Sequence, residues 1–349
     1  MNNFYKMICE SEMPYIIAEI GSNHNGDMNL AKELIVKAKK AGAHAVKFQS
    51  WSKDSIFSKE VYNRNYFLND DYRNRKDYTL SEIVEKFSIS QNELLEMMEF
   101  AKKIEIDCSS TPFSKSEVDF LVNEIEPKFI KIASMDINNY PFLEYVATKN
   151  LPIIISTGLS ELEEIDKAVR TIENAGNKEI IILHCVSIYP PKDEDVNLKN
   201  IETLKKIYNY PVGFSDHTIG TSIPLAAIAL GAKILEKHFT LDKNLFGWDH
   251  QVSANPEELE FICKECKRII RSLGDNRIRS REDDERKNAF RRSIIINKDK
   301  RIGDKISFED IEFKRPGEGI KPDEIKYVIG RKLKENVFAD DMLKWEDLE

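Results

Sequence analysis

Charged and hydroxyl side chains stand near the ends of eight short β-rich segments of this sequence. Lysine is rarely buried without a partner, and a buried polar group costs free energy unless it is bonded. The pattern therefore predicts one site at which the segment ends meet. The residues concerned are Glu19, Lys47, Gln49, Thr111, Lys131, Ser134, Ser156, His184, Ser215, His217, Glu236 and His238.

The two lysines of this set, Lys47 and Lys131, need anionic partners. Hydroxyl side chains end the segments beside and beyond them. Ammonium groups ringed by hydroxyl donors suit a small substrate that carries a phosphate and a carboxylate. The alternative is that a lysine forms a Schiff base, as in a class I aldolase, which requires a lowered lysine pKa.

Two histidines, His217 and His238, close the last two segments, which would be neighbours in a closed barrel. Imidazole is a ligand for divalent Mn, Fe, Co and Zn. Two protein ligands leave positions for water or a substrate oxygen, as a Lewis-acid role requires. The alternative is that both are ordinary polar histidines.

The elements that must position these residues alternate between strand and helix. Residues 30–42 and 162–176 carry apolar residues at helical spacing, and each stretch ends in glycine, a natural helix stop. Eight such repeats within residues 1–275 predict an α/β fold, the (β/α)8 TIM barrel. A doubly wound sheet is the alternative, but the sequence lacks its glycine-rich phosphate turn.

Two segments interrupt this alternation. Residues 51–80 are polar, aromatic and aperiodic, and a loop of this length on the site face predicts a lid or binding loop. Residues 276–290 are almost wholly charged or polar, which predicts an exposed linker. Residues 291–349 contain short strands and turns, enough for a small separate domain with a thin core.

Composition excludes several classes of protein. The chain has 349 residues, with 52 Lys and Arg against 60 Asp and Glu, so a net charge of −8 argues against nucleic-acid binding. No apolar run approaches the ~18 residues of a membrane span, and the first residues lack the apolar core of a signal peptide. Five cysteines, an odd number, predict a reduced cytoplasmic protein. The lone CxxC of Cys263 and Cys266 has no second pair, so zinc or redox chemistry is not assigned to it.

Taken in order, the motifs of this chain resemble the sialic acid synthase family, the bacterial nonulosonic acid synthases. The resemblance runs from about Ile16 to the C-terminus, and its pieces are AEIGSNHNGD, AVKFQS, SSTPF, KIASMDINNYPFLE, STG, LHCVSIYP, GFSDHTIG, ALGAKILEKHFTLDK and FKRPGEG. It implies a barrel joined to a small C-terminal SAF, or antifreeze-like, domain, and a homodimer with exchanged C-terminal domains. It also implies condensation of phosphoenolpyruvate with an N-acylated amino-hexose aldehyde, N-acetylmannosamine by default, with release of phosphate.

The resemblance implies a role for each matching residue. Glu19 and Asp136 are the candidates for the base that activates water, and Lys131 is counted with them as catalytic. His217 and His238 would bind the divalent metal, Mn²⁺ in the first place, with Mg²⁺ or Co²⁺ as alternatives. Phosphoenolpyruvate would be held by Lys47, Thr111, Lys131, Ser134, Ser156, Ser187 and Ser215. The sugar would be held by Gln49, Tyr189, Asp249 and Arg315.

Departures from the family concern the sugar end of the site. Asp136 stands where many relatives carry Glu, and Trp248 replaces a common Pro. N-acetylneuraminate is the default product, and legionaminate and pseudaminate are alternatives within the family. A Schiff-base aldolase using Lys131 and a non-catalytic sugar-binding protein are the more distant alternatives.

Overall fold

The computed structural model describes residues 1–65, 79–275 and 277–349. These residues form two compact units, Met1–Gly274 and Asp275–Glu349. The first unit contains a parallel eight-stranded sheet in the order β3-β2-β1-β8-β7-β6-β5-β4. Its strands are β1 (Tyr15–Gly21), β2 (Ala45–Gln49), β3 (Asp107–Thr111), β4 (Ile130–Ile132), β5 (Ile153–Ser156), β6 (Ile180–Cys185), β7 (Val212–Asp216) and β8 (Ile234–His238).

The pairing of β1 with both β2 and β8 curls this sheet into a barrel. The seam between β3 and β4 is bridged by the Ser109 hydroxyl, which donates to the Phe129 carbonyl at 3.0 Å. The predicted TIM barrel is therefore confirmed. Its strands lie in the predicted β-rich segments, with β1 one residue longer at its end; these segments are 15–20, 45–50, 107–112, 129–134, 153–158, 180–185, 212–217 and 234–239. The doubly wound alternative is wrong because its sheet would not close.

Helices follow the strands and cover the outside of the barrel, and one further helix precedes the first strand. They are α1 (Asn3–Glu10), α2 (Met28–Ala41), α3 (Lys53–Ile56), α4 (Lys59–Arg64), α5 (Leu80–Phe87), α6 (Gln91–Lys103), α7 (Lys115–Phe120), α8 (Tyr140–Ala147), α9 (Leu162–Asn174), α10 (Asn200–Ile207), α11 (Ser222–Ala229) and α12 (Pro256–Leu273). Helix α2 ends at Gly42, which adopts φ +94° and so takes the left-handed conformation that favours glycine. Both helices predicted from their spacing, α2 and α9, are present.

Strand side chains alternate between the helix layer and the barrel interior. Outward residues such as Ile16, Val46, Phe214 and Leu235 pack in the main apolar core with the helices. Inward residues at the amino ends of the strands form a second core with α1, whose members are Phe4, Tyr5, Ile8, Tyr15, Ile17, Ala45, Phe129, Ile154, Ile181, Leu183 and Ile234. Helix α1 closes this end of the barrel. A cavity lined by polar inward residues can therefore open only at the opposite end.

The segment 51–80, predicted to be a lid or binding loop, is described at its two ends. Trp51 is buried against Leu80, Ile83, Val84 and Phe87 in a separate apolar cluster. Helices α3 and α4 lie in this segment. Residues 66–78, on which the rest of that prediction falls, lie outside the described residues.

The second unit has its own small core. It contains α13 (Asp284–Phe290), which falls within the predicted linker 276–290, and the antiparallel strands β9 (Ser293–Ile296) and β10 (Ile311–Lys314). Its core residues include Ile294, Ile296, Ile306 and Leu333.

All five cysteines of the chain are free, and the Cys266 thiol donates to the Cys263 carbonyl within α12. In the described part of the chain, no helix is long and apolar enough to cross a membrane.

Candidate active site

A cavity of about 440 Å³ opens at the carboxyl ends of the barrel strands. The strand ends and the loops that follow them bring most of the predicted site residues to its wall. Those that line it are Glu19, Lys47, Gln49, Thr111, Lys131, Ser134, Ser156, Ser187, Tyr189, Ser215, His217, Glu236, His238 and Asp249. In TIM barrels this face carries the chemistry, so the location fits the prediction from the strand ends.

The floor of the cavity is a network of two lysines and two glutamates. Lys47 is in ion-pair contact with Glu19 and lies 3.7 Å from the Glu236 carboxylate. Lys131 lies 3.3 Å from the other oxygen of Glu236, and Lys47 donates to the Thr111 hydroxyl at 2.7 Å. All four charged side chains are buried. Two cations are thus held, partly neutralised, where an anionic substrate can reach them.

This network separates the pKa values of the two carboxyl groups. Burial, helped by the nearby Glu236 charge, raises the pKa of Glu19 to about 7. Burial would also raise the pKa of Glu236, but Lys131, Lys47 and the Ser215 hydroxyl outweigh it and lower that pKa to about 2. Burial also lowers the pKa of Lys131. Glu19 can therefore exchange a proton near neutral pH, as a general base must.

A cradle of hydroxyl groups lies beside the lysines. Gly158 donates its N–H to the Ser134 hydroxyl at 3.1 Å. A Cβ atom at Gly158 would lie 2.2 Å from the Ser187 oxygen and 2.7 Å from the Ser134 oxygen, so only glycine lets these two hydroxyl groups lie this close to the backbone. The buried Ser156 hydroxyl has no hydrogen-bond partner among the described residues. Such donors, close to ammonium groups, suit the oxygens of a phosphate.

Glycine is also required where β1 ends. Gly21 adopts φ +53°, and a Cβ atom there would lie 3.2 Å from Glu19 Oε1 and 3.5 Å from the Gln49 amide group. The turn after it is tied to the loop after β8: Asn23 donates to the Phe239 carbonyl at 2.9 Å, and Asn25 accepts from His250 at 3.1 Å. The GSNHNG turn therefore fixes the loop that carries Trp248 and Asp249.

The two predicted metal ligands face each other across the cavity wall, with ring centroids 5.5 Å apart. His217 Nδ1 donates to the Val186 carbonyl at 2.8 Å, which leaves Nε2 as the nitrogen with a lone pair. His238 Nδ1 is buried, and no hydrogen-bond partner for it stands in the part of the chain that the structure describes. Burial and the neighbouring His217 keep the pKa of His238 well below its usual range, so this imidazole is neutral.

Burial would lower the pKa of His217, but Cys185 and the Val186 carbonyl outweigh it and raise that pKa. The two imidazoles would each offer one nitrogen to a divalent cation and leave positions for water and substrate. Asp249 lies 3.8 Å from His238 Nδ1. Within residues 1–65, 79–275 and 277–349, no group of three or more His, Cys, Asp or Glu side chains is placed to enclose a metal by itself. The donor set therefore suits an open site rather than a closed structural one.

The outer wall of the cavity is apolar and aromatic. Trp51 and Trp248 lie with ring centroids 5.1 Å apart, and Tyr189 stacks on His217 at 4.0 Å. The apolar lining residues are Trp51, Ile56, Phe57, Phe113, Ala133, Met135, Leu159, Ile188 and Trp248. The cavity thus has a charged floor and an apolar mouth.

Two predicted site residues of the first unit, Asp136 and His184, are not part of the cavity wall; His184 Nε2 lies instead 2.6 Å from the Val196 carbonyl. Asp136 lies on the turn after β4, where its carboxylate accepts from the Asn139 amide at 3.1 Å and burial raises its pKa. Arg315 belongs to the second unit, where its guanidinium lies 4.8 Å over the Phe290 ring. The structure brings Asp136 to the loop beside Ser134 but not into the cavity.

Sequence reasoning gave no role to two lining residues. Glu236 was placed among the strand ends, and its two lysine contacts become visible only when β2, β4 and β8 are brought together. Cys185 lies 3.6 Å from the Ser134 hydroxyl and 3.9 Å from His217 Nδ1. Burial raises the pKa of this thiol, but His217, Ser134 and Lys131 together lower it to about 7.

Comparison with known proteins agrees with this geometry. The NeuB family matches residues 34–278, and the SAF domain matches residues 291–349. An N,N'-diacetyllegionaminic acid synthase of Legionella pneumophila is 39% identical over 340 residues, which cover 96% of this chain and 94% of that protein. A synthase of the same name from Campylobacter jejuni is 39% identical over 332 residues, covering 94% and 98%. The solved N-acetylneuraminic acid (sialic acid) synthetase of Leptospira borgpetersenii, in complex with citrate, is 36% identical with a TM-score of 0.69, covering 79% of this chain and 90% of that one.

Proposed function

The chain belongs to the NeuB family, and from this membership we propose that it condenses phosphoenolpyruvate with an N-acylated amino-hexose aldehyde and water. The products are phosphate and a nine-carbon sugar acid of the sialic acid type. The observation that carries this proposal is the presence, in one cavity, of two buried lysines, a hydroxyl cradle, a carboxyl group of raised pKa and two facing histidines.

Phosphoenolpyruvate would lie over the floor of the cavity. Lys47 and Lys131 supply the positive charge, and the hydroxyl groups of Ser134, Ser156 and Ser187 supply hydrogen bonds to its oxygens. Because residue 158 is glycine, the Ser134 and Ser187 hydroxyl groups can both pack against its backbone, where they would form one side of the phosphate site. Both lysines already form ion pairs with Glu236. The bound anion would therefore compete with the Glu236 carboxylate for their ammonium groups.

His217 and His238 would hold the divalent cation, for which Mn²⁺ is our first choice and Mg²⁺ or Co²⁺ the alternatives. When bound there, the cation supplies a Lewis acid that polarises the aldehyde carbonyl of the sugar. The remaining chemistry falls to residues of the chain. C3 of phosphoenolpyruvate attacks the aldehyde carbon, and C2 becomes electron-poor and takes up water.

Glu19 is the residue that we assign as the base for this water. It lies on the cavity floor, and its raised pKa lets it accept a proton near neutral pH. Asp136 was the other candidate, but its side chain is not part of the cavity wall. The tetrahedral product of water addition then loses phosphate with the bridging oxygen.

We propose an acceptor with two N-acetyl groups rather than N-acetylmannosamine, the default suggested by the sequence. Two relatives named as N,N'-diacetyllegionaminic acid synthases are each 39% identical to this chain over more than nine tenths of its length. The mouth of the cavity is also apolar: Trp51, Trp248, Met135, Leu159 and Ile188 all line it. A second acetyl methyl group would be buried there more favourably than a hydroxyl group.

Arg315 is proposed to complete the sugar site of a second copy of the chain, in a homodimer with exchanged C-terminal domains. Several apolar side chains stay exposed on the loops at the site face, among them Met135, Leu159, Ile188 and Ile219. Such a rim is suited to being covered by another protein surface. We further expect the enzyme to work in the cytoplasm, since all five thiols are free.

A screen for phosphate release tests the proposed function. Purified protein is given phosphoenolpyruvate, Mn²⁺ and one of three acceptors: N-acetylmannosamine, an N-acetylated aldohexose with a second acetamido group, or glucose as a negative control. The expected result is phosphate release that depends on the amino sugar, is faster with two acetamido groups, and stops on chelation. Phosphate release at the same rate with and without the amino sugar would contradict the proposed reaction. Phosphate release that continues after exhaustive chelation would contradict the metal assignment.

One observation favours a second reaction. The lowered pKa of Lys131, caused by burial, is what a Schiff-base aldolase requires of its lysine. However, Glu236 lies 3.3 Å from this ammonium group and stabilises its charged form. We therefore rank the aldolase second, and a labelling experiment described below separates the two reactions.

A further inference from the structure

A fully buried ion pair lies one residue before each of the two cavity histidines. Lys237 Nζ contacts Asp216 Oδ2 at 2.6 Å, and the two side chains are 1% and 0% exposed. Asp216 and Lys237 are also direct partners in the pairing of β7 with β8. His217 follows the first and His238 follows the second, so the pair joins the two strands at the point where the histidines begin.

This ion pair faces away from the cavity. The preceding residues, Ser215 and Glu236, point inward and are hydrogen-bonded to each other at 3.0 Å. Because side chains alternate along a strand, Asp216 and Lys237 project toward the helix layer, like Phe214 and Leu235. In such surroundings a buried ion pair is often no more stabilising than an apolar pair of similar volume. Stability alone therefore does not explain it.

The hydrogen bonds of the pair converge on the turn that carries His217. Lys237 Nζ donates to the Thr218 carbonyl at 2.7 Å, and Asp216 Oδ1 accepts from the Thr218 N–H at 2.8 Å. The residues on both sides of His217 are thus fixed to the end of β8. On that strand, Ala254 N–H donates to the His238 carbonyl at 2.7 Å, which holds the second histidine.

We propose that Asp216 and Lys237 are positioning residues that set the separation of the His217 and His238 imidazoles for one divalent cation. This inference rests on the proposed metal site. Two imidazoles from different strands can bind the same cation only if the strand ends keep a fixed separation. Two bonds from Lys237 couple the strand ends, one to Asp216 and one to the Thr218 carbonyl, and the bond from the Thr218 N–H to Asp216 fixes the turn itself.

The test measures binding of Mn²⁺ alone, by the electron paramagnetic resonance signal of the free ion. The double variant D216N/K237M removes the ion pair but keeps the amide oxygen that accepts from the Thr218 N–H. The control D119N/K149M removes another ion pair of the same barrel, 2.6 Å between Lys149 Nζ and Asp119 Oδ1, remote from both histidines in the sequence. The expected result is Mn²⁺ affinity at least tenfold weaker in D216N/K237M, and unchanged in the control.

Two further measurements separate positioning from loss of fold. Far-UV circular dichroism establishes that each variant is folded, and phosphoenolpyruvate affinity should stay within about twofold of wild type, because its proposed ligands do not bond to the pair. If D216N/K237M is unfolded, D216L/K237M replaces it, since an apolar pair of similar volume restores packing.

The outcomes distinguish this inference from the proposed function. Wild-type Mn²⁺ affinity in a folded D216N/K237M variant would overturn the inference and leave the metal site standing. The variant H217A/H238A should bind no Mn²⁺ at this site. If it binds as well as wild type, the metal assignment itself is wrong and the positioning role falls with it.

Discussion

The carboxyl groups of Glu19 and Glu236 share the ammonium group of Lys47 at the floor of the cavity. Among the described residues, Glu236 alone of the two has a second lysine within ion-pair distance, Lys131 at 3.3 Å. The second lysine lowers the pKa of Glu236 to about 2, so this carboxyl group stays ionised at neutral pH. Glu19, whose pKa is about 7, is left as the proton acceptor. Two carboxyl groups with pKa values pushed apart are the arrangement expected of an acid–base site.

The first prediction concerns the pH dependence of kcat/KM. Glu19 must be deprotonated to take a proton from water, and its pKa is raised, so kcat/KM should rise with pH through about 7 and then level off. The groups that face it are Lys47 on β2, Lys131 on β4 and Glu236 on β8. In E19Q, kcat/KM should fall by about 10²–10⁴-fold, and its rise with pH through about 7 (the acidic limb of the profile) should disappear.

Phosphoenolpyruvate itself loses a proton near pH ~6, so a control is needed. The variant D136N should keep the limb of wild type, because Asp136 is outside the cavity wall. A limb near pH 7 that persists in the residual activity of E19Q would assign it to the substrate and contradict the role of Glu19.

The second prediction tests the coupling between the two glutamates. The charge of Glu236 is one of the causes that raise the pKa of Glu19, after burial. In E236Q this charge is absent, and the limb of the kcat/KM profile should therefore move to lower pH. Its midpoint is measured over pH 5–9 beside wild type. A midpoint that stays in place, or moves to higher pH, would show that the two carboxyl groups do not interact as the geometry indicates.

The fold could be predicted almost completely from sequence, because strand ends and helix stops have local patterns. All eight strands lie where the β-rich segments are. Helix α1 was not predicted. Its apolar face of Phe4, Tyr5 and Ile8 is buried only by packing on the barrel end that it closes, and this contact is not visible in the local sequence. The role of Glu236 was missed for a similar reason, because its partners lie on β2 and β4.

The third prediction concerns the choice of sugar. Trp248 lines the mouth of the cavity and packs 5.1 Å from Trp51. In W248A, kcat/KM for the acceptor with two N-acetyl groups should fall about 10–100-fold more than kcat/KM for N-acetylmannosamine, because apolar contact to one methyl group is lost. The control F246L changes a residue of the same aromatic cluster that does not line the cavity. An equal fall for both sugars would show that Trp248 supports the fold of the loop instead of selecting the acceptor.

The fourth prediction separates condensation by water attack from a Schiff-base aldolase. If water attacks C2, phosphate leaves with the bridging oxygen of phosphoenolpyruvate, so substrate labelled with ¹⁸O at the bridge should give labelled phosphate by mass spectrometry. Borohydride added during turnover should trap no adduct on Lys131. Unlabelled phosphate would contradict the water-attack route, and a trapped adduct would favour the aldolase.

The last prediction tests whether Arg315 acts in a second copy of the chain. Its guanidinium is held over Phe290 at 4.8 Å, a contact that favours a fixed orientation of its planar donors. In R315A the KM for the sugar should rise while phosphoenolpyruvate affinity stays near wild type. Each of R315A and E19Q should be nearly inactive at low sugar concentration. Co-expressed with two different tags, they form heterodimers in which one site combines an intact barrel with an intact C-terminal domain.

In an exchanged dimer, this unpurified mixture should regain about a quarter of wild-type activity, since half the dimers are mixed and each contains one good site of two. The heterodimer selected on both tags should regain about half. The control pair E19Q and K47M places both defects in the barrel, so every site stays defective and activity should not return. If the selected R315A/E19Q heterodimer is no more active than its parents, Arg315 does not serve the partner's site, and exchange of C-terminal domains loses its functional basis.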